Sequence, residues 1–185
     1  MSLTPNEAAS ALRDIEDTGR RSGQAFGYRT SAPHLIIWGL VWVIGYSGSD
    51  LVPRYNNVTW LTVVALGTIA SLVAGTVVGK ANRSDRKNEG WRYGLLILVF
   101  WAFLIGTAAI MHPDAREQGA FIPLVIAAIY AGVGLWAGMR YILLGTAVAA
   151  LTLFGFFEIQ QHFALWMAAV GGGGLIVAGL WMRSA

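Results

Sequence analysis

The chain has 185 residues, 56% of them hydrophobic and 12% charged, with a net charge of +3 and no cysteine. The missing cysteines exclude disulfides, thiolate metal sites and a cysteine nucleophile. The small positive charge is no nucleic-acid footprint, because no basic groove interleaved with aromatic residues stands outside the apolar stretches.

Residues 1–32 are the only sizeable polar part, too short to bury a core of their own. Thr4-Pro5-Asn6-Glu7 has the capping-box pattern, with Thr4 as N-cap and Glu7 set to reach back. Ala8, Leu12 and Ile15 then recur at helical spacing, and Glu16–Arg20 and Asp17–Arg21 stand four apart in the favoured order. Gly19 and Gly23 are expected to end this helix, with Phe26 and Tyr28 as interfacial anchors. The segment reads as a short cytoplasmic amphipathic helix lying on the inner membrane surface. Its alternative role is a docking element for a cytoplasmic partner.

From residue 33 onward the chain is dominated by stretches without Asp, Glu, Lys or Arg, at 33–49, 55–79, 93–113, 118–139, 141–157 and 159–182. A helix rises about 1.5 Å per residue, so crossing a hydrocarbon core of about 30 Å takes roughly 20 apolar residues. Residues 118–157 are interrupted only by Arg140. One helix of that length would measure about 60 Å, so the chain is expected to fold back near Gly138-Met139-Arg140. The predicted fold class is all-α: a polytopic integral membrane protein with six transmembrane helices, arranged as three hairpins over residues 33–182. The first residues lack the basic start, apolar core and cleavage site of a removable signal peptide, so the first span is expected to direct insertion.

Charge orients these spans, because basic residues concentrate on the cytoplasmic side. With both termini inside, the inner segments hold eleven basic residues: Arg13, Arg20, Arg21, Arg29, Lys80, Arg83, Arg86, Lys87, Arg92, Arg140 and Arg183. The outer connections hold two, Arg54 and Arg116. Tyr55, Trp60 and Trp166 near the outer ends, and Trp91, Tyr93, Trp136, Tyr141 and Trp181 near the inner ends, suit the two aromatic belts.

Small residues four apart mark the inner halves of the returning helices: Gly75 and Gly79, Gly134 and Gly138, Gly174 and Ala178. Thr68 and Ser71 share the face of Gly75 and Gly79. Such stripes let backbones approach closely in lipid, so the returning helices are expected near the middle of the bundle. They also admit association between copies of the chain. Gly171, Gly172, Gly173 and Gly174 lie near the bilayer centre and form the candidate substrate-binding element. A broken helix there would free backbone groups for a solute, whereas an unbroken one would serve close packing.

No Asp, Glu, Lys, Arg or His stands at the middle of a span, which disfavours proton- or sodium-coupled transport. At the outer surface, His112, Glu158 and His162 form a candidate metal site, since imidazole and carboxylate ligate divalent cations. They come from separate connections without a compact ligand motif, and ordinary loop residues are the simpler account. No cofactor is expected.

Gly45-Tyr46-Ser47-Gly48 resembles the GxSG pattern of rhomboid intramembrane proteases. That family sets its serine at the start of the fourth span and its histidine inside the sixth. Here Ser47 ends the first span and His162 precedes the sixth, so order and depth both depart from the pattern, and the chain is expected not to be an enzyme. A broader resemblance rests on Ile37-Trp38-Gly39-Leu40-Val41-Trp42-Val43-Ile44-Gly45 and Met167-Ala168-Ala169-Val170-Gly171-Gly172-Gly173-Gly174. These segments resemble an uncharacterised family of small six-span bacterial inner-membrane proteins, some loosely labelled transporters. The resemblance implies a bacterial inner membrane and a six-helix fold across residues 8–182, and it implies no site residue. Two functions follow: a small-solute transporter or channel, or a membrane-bound regulatory or assembly subunit holding a partner through its N-terminal segment and residues 80–92.

Overall fold

A computed structural model of the chain describes residues 5–81 and 90–184. The expected N-cap Thr4 and most of the basic connection between the second and third spans lie outside the described residues. The described backbone is all-helical, without strands. Its helices are α1 (Pro5–Leu51), α2 (Asn56–Ala81), α3 (Gly90–Met111), α4 (Ala115–Ala137), α5 (Met139–Glu158) and α6 (Phe163–Arg183). Among the described residues, five segments are long and apolar enough to cross a membrane: Pro53–Thr76, Gly94–Met111, Ala115–Ala137, Met139–Glu158 and Phe163–Arg183.

The first element differs from its expectation. Gly19 and Gly23 do not end a short helix; α1 runs for 47 residues through both glycines and through Pro33. A glycine costs a helix only about 1 kcal/mol relative to alanine. Proline removes one backbone donor, a larger loss that tertiary packing on either side of Pro33 outweighs. At about 1.5 Å per residue, α1 is about 70 Å long, more than twice a hydrocarbon core. Its first half is an exposed arm, with Leu12 at 60% and Ile15 at 68% exposure. On that arm Arg20 pairs with Asp17 at 3.0 Å, not with Glu16, and Arg21 forms no described pair with Asp17.

The second half of α1 is the centre of the bundle. Ala32, Leu35, Trp42 and Tyr46 are buried at helical spacing, with Gly39 between them. This strip lies along α6. A Cβ on Gly39 would stand 2.6 Å from Ile176 and 2.8 Å from the Gly172 carbonyl, and one on Gly179 would stand 2.9 Å from the Ala32 carbonyl. Backbones meet because no side chain intervenes, the packing mode that lipid favours.

The expected glycine pairs divide: Gly134 meets the backbone of the next helix at Ile142 and α6 lies in the central seam, but Gly75 on α2 and Gly174 meet nothing within 4 Å. Lipid is as apolar as a helix core, so a stripe of small residues reveals a preference for contact without naming the partner. Helix α2 instead packs on α1 through Gly67 against Val41, and through Trp60 and Thr59 against Gly45 and Gly48.

Helices α4 and α5 form the tightest hairpin. Asp114 caps α4 by accepting from the Glu117 N–H at 2.7 Å, and the Glu117 carboxylate accepts from the Asp114 N–H at 2.9 Å. The chain reverses at the expected place, on Gly138 alone, with φ of +121°. Only glycine adopts that conformation without strain. Its missing side chain also admits the Tyr28 ring. Helix α3 touches the rest of the described bundle lightly, with Leu104 its one buried side chain among those described.

Candidate functional site

Residues from distant parts of the chain gather at three levels. At one end, Arg140 donates to the Trp181 carbonyl at 2.8 Å while its guanidinium lies 4.6 Å from the Trp181 ring centroid and 5.2 Å from that of Tyr28. The Tyr141 hydroxyl shares a 2.6 Å hydrogen bond with the Ser31 hydroxyl, and the Tyr141 ring stands 5.4 Å from the ring of Tyr28 and 6.3 Å from that of Tyr130. Arg140 thus clasps the last turn of α6, the negative end of the helix dipole, on a Trp181 carbonyl that also accepts from the Ser184 N–H and hydroxyl. The arrangement joins α1, α5 and α6 at the root of the arm.

At the opposite end, the Tyr46 hydroxyl donates to the Gly119 carbonyl and its ring meets Trp60 edge-on at 5.0 Å. The Trp60 indole N–H donates to Ser49 Oγ at 2.9 Å, and Ser49 lies 2.6 Å from Asn56 Oδ1. Arg116 stands over the Phe156 ring at 4.5 Å, and Phe156 meets Phe163 edge-on. These contacts tie α1 to α2 and α4, and α4 to α5 and α6. Successive helices around this core therefore run antiparallel.

The candidate outer metal ligands do not converge. Among the described residues, no group of three or more His, Asp or Glu is placed to hold a metal ion. His112 ends α3 with a positive φ of 46° and its N–H on the Ala108 carbonyl at 3.0 Å, the geometry of a helix C-cap. Glu158 and His162 share no helical face, because α5 ends at Glu158 and residues 159–162 are not α-helical. Both side chains are exposed, and Ser47 is half-buried at the end of α1.

The middle level contains the four glycines. They do not break α6; the helix widens into a π turn over Met167–Gly172 and resumes as α-helix at Gly173. The four positions differ. A Cβ on Gly172 would stand 2.7 Å from the Val43 nitrogen and 2.8 Å from the Gly39 carbonyl oxygen, and one on Gly171 would stand 3.2 Å from Trp42. Gly173 and Gly174 meet nothing within 4 Å. Thus two glycines form the seam with α1, and two lie outside it.

On the α5 side of the π turn lies a cavity of about 60 Å³, bordered by Val148, Thr152, Met167, Val170, Gly171 and Gly174. Thr152 is fully buried and its hydroxyl has no hydrogen-bond partner. The sequence gives little notice of this residue, since a lone threonine in a span usually satisfies itself on its own helix. A larger apolar cleft of about 540 Å³ lies between α3 and α4, lined by Trp101, Leu104, Ile105, Met111, Phe121 and Ile122 among others.

Fold and contacts define an all-α protein of membrane type. No protein-family model matches the chain, and neither does any curated protein or solved structure.

Proposed function

We propose that the protein is a non-enzymatic, six-span protein of the bacterial inner membrane, with both termini inside, that serves as a regulatory or assembly subunit. The observation that carries this reading is the continuity of α1 from an exposed polar arm into the central helix of the bundle. A segment built this way fixes its exposed part relative to the membrane along one continuous helix that crosses Pro33. The arm offers Leu12 and Ile15 beside Arg13, Asp14, Glu16, Asp17, Arg20 and Arg21, a surface of mixed charge around a small apolar stripe suited to a protein partner.

The span that joins the five apolar segments is the second half of α1, first in chain order. Its support is the packing of Ala32, Gly39 and Trp42 along successive turns of α6, from Gly179 to Gly172 to Gly171. Two helices in side-by-side contact over that length share one depth in the bilayer. The eleven-to-two distribution of basic residues supports the orientation. The close seam between α1 and α6 weighs toward a subunit rather than a solute path.

Co-purification tests the proposal. The full chain is expected to bring down a stoichiometric cytoplasmic protein, and deletion of residues 1–23, which keeps Tyr28 on Arg140 and Tyr141, is expected to release it while the bundle still unfolds cooperatively. If the deleted chain retains that protein, the arm is not its holder. Solute flux through vesicles containing the chain alone would instead support the transporter reading.

A further inference from the structure

Three other threonines in described helices hydrogen-bond to their own backbone. Thr30 Oγ1 donates to the Phe26 carbonyl, Thr68 Oγ1 to the Val64 carbonyl and Thr76 Oγ1 to the Val73 carbonyl, each at 2.8 Å. That local bond is the ordinary solution for a hydroxyl in a membrane helix. Among the described residues, Thr18, Thr59, Thr62, Thr107 and Thr146 also lack it but are exposed or half-buried, whereas Thr152 is 0% exposed, its hydroxyl is unpartnered, and it borders the 60 Å³ cavity beside the π turn. An unsatisfied buried hydroxyl costs about 1–3 kcal/mol, so the position calls for an acceptor or donor from elsewhere.

The neighbouring backbone is unusual at the same place. A turn widened to i+5 spacing disturbs the regular i+4 ladder, and such turns recur at functional sites. Met167, Val170 and Gly171 of that turn border the cavity with Thr152, and Gly174 brings no side chain. The remaining border is apolar: Leu144, Ala147, Val148 and Leu151. With no ionisable group around it, the cavity does not suit an ion, whose transfer from water would go uncompensated. Its volume matches about two water molecules at roughly 30 Å³ each, or one molecule of two or three heavy atoms.

We propose that Thr152 and the π turn of α6 form a buried site for one small neutral hydroxyl-bearing molecule, water or a one- or two-carbon alcohol. The Thr152 hydroxyl orients the ligand's hydroxyl, and the apolar border accepts a methyl or ethyl group. The π turn shapes the cavity from the α6 side, where its backbone runs next to Thr152. This site is independent of whether the arm binds a partner.

The test uses the full chain in micelles, with its Met methyl groups labelled for NMR. Cross-relaxation from water to the Met167 methyl is expected in the native chain, lost in Thr152→Val and kept in Thr152→Ser. Added methanol labelled on carbon gives a methyl-to-methyl contact with Met167 if the site accepts an alcohol; water contact without it assigns the site to water alone. Thermal melting provides the second readout. Thr152→Val is expected to lower Tm, because it strands the bound hydroxyl while conserving side-chain shape. The proposal is overturned if neither probe reaches Met167, if contact persists unchanged in Thr152→Val, or if that variant melts at or above the native temperature.

Discussion

Replacing each of the four glycines at 171–174 by alanine separates the seam from the open side of α6. The perturbation is one methyl group at four successive positions. In Gly172→Ala the Cβ would stand 2.7–2.8 Å from Val43 N, Gly39 O and Val43 Cγ2. The first two belong to the α1 backbone and cannot rotate away. Restoring ordinary contact requires the helices to separate locally by about 0.6–0.7 Å, enough to forfeit a quarter to a half of the attraction between neighbouring atom pairs. Overpacking of this kind costs about 1–3 kcal/mol, reduced by up to about 1 kcal/mol from alanine's higher helix propensity. The expected net loss is about 1–2 kcal/mol. Gly173→Ala and Gly174→Ala meet nothing within 4 Å, so the propensity gain acts without a clash. Gly171→Ala presses on the flexible Met167 terminus at 3.1 Å and on the buried Trp42 ring at 3.2 Å, so its loss should fall between those at Gly172 and Gly173. Reversible unfolding in mixed micelles reads all four. Equal stability for Gly172→Ala and the native chain, or equal losses at Gly172 and Gly173, would refute the assignment of the seam.

Gly138→Ala is expected to lose about 2–3 kcal/mol or more, because its φ of +121° is joined to a clash with the Tyr28 hydroxyl; a native melting profile would contradict this. Arg140→Ala removes the bond to the Trp181 carbonyl and both aromatic contacts, a loss of about 1–3 kcal/mol by equilibrium unfolding. Arg140→Lys should recover only part of it, since an ammonium lacks the planar fork, and full recovery would assign the effect to charge alone. Reporter fusions after Asn56, Ala115 and Gln160 should report the outer side, and those after Asp85 and Ala185 the inner. An inner signal at Gln160 would break the last hairpin.

The apolar runs foreshadow the elements well because lipid imposes both a length and a ban on unpaired backbone. The predicted reversal at residues 138–140 lies on Gly138, where excessive helix length and a residue free to take positive φ coincide. Which helices touch was less legible. In water, burial writes an amphipathic stripe, but a membrane helix is apolar toward lipid and toward its neighbours alike. Gly75 and Gly39 therefore look equivalent in sequence, although only Gly39 meets another backbone. The glycines at 19 and 23 also invite a helix end that α1 does not have. Thr152 is not legible for a different reason: its distinction is full burial without a hydrogen-bond partner, which depends on the packing of α5 against α6.

The pairing of α1 with α6 gives the molecule a fixed order of completion. Helix α1 is synthesised well before α6, which it contacts along the central seam, whereas α4 and α5 are joined by one residue and can close on each other as they emerge. Until α6 enters the membrane, the Ala32–Gly39–Trp42 strip of α1 faces lipid or a provisional neighbour. Nascent chains ending near residue 158 hold a finished hairpin but lack the element that covers this strip. Entry of α6 is the step that closes this seam.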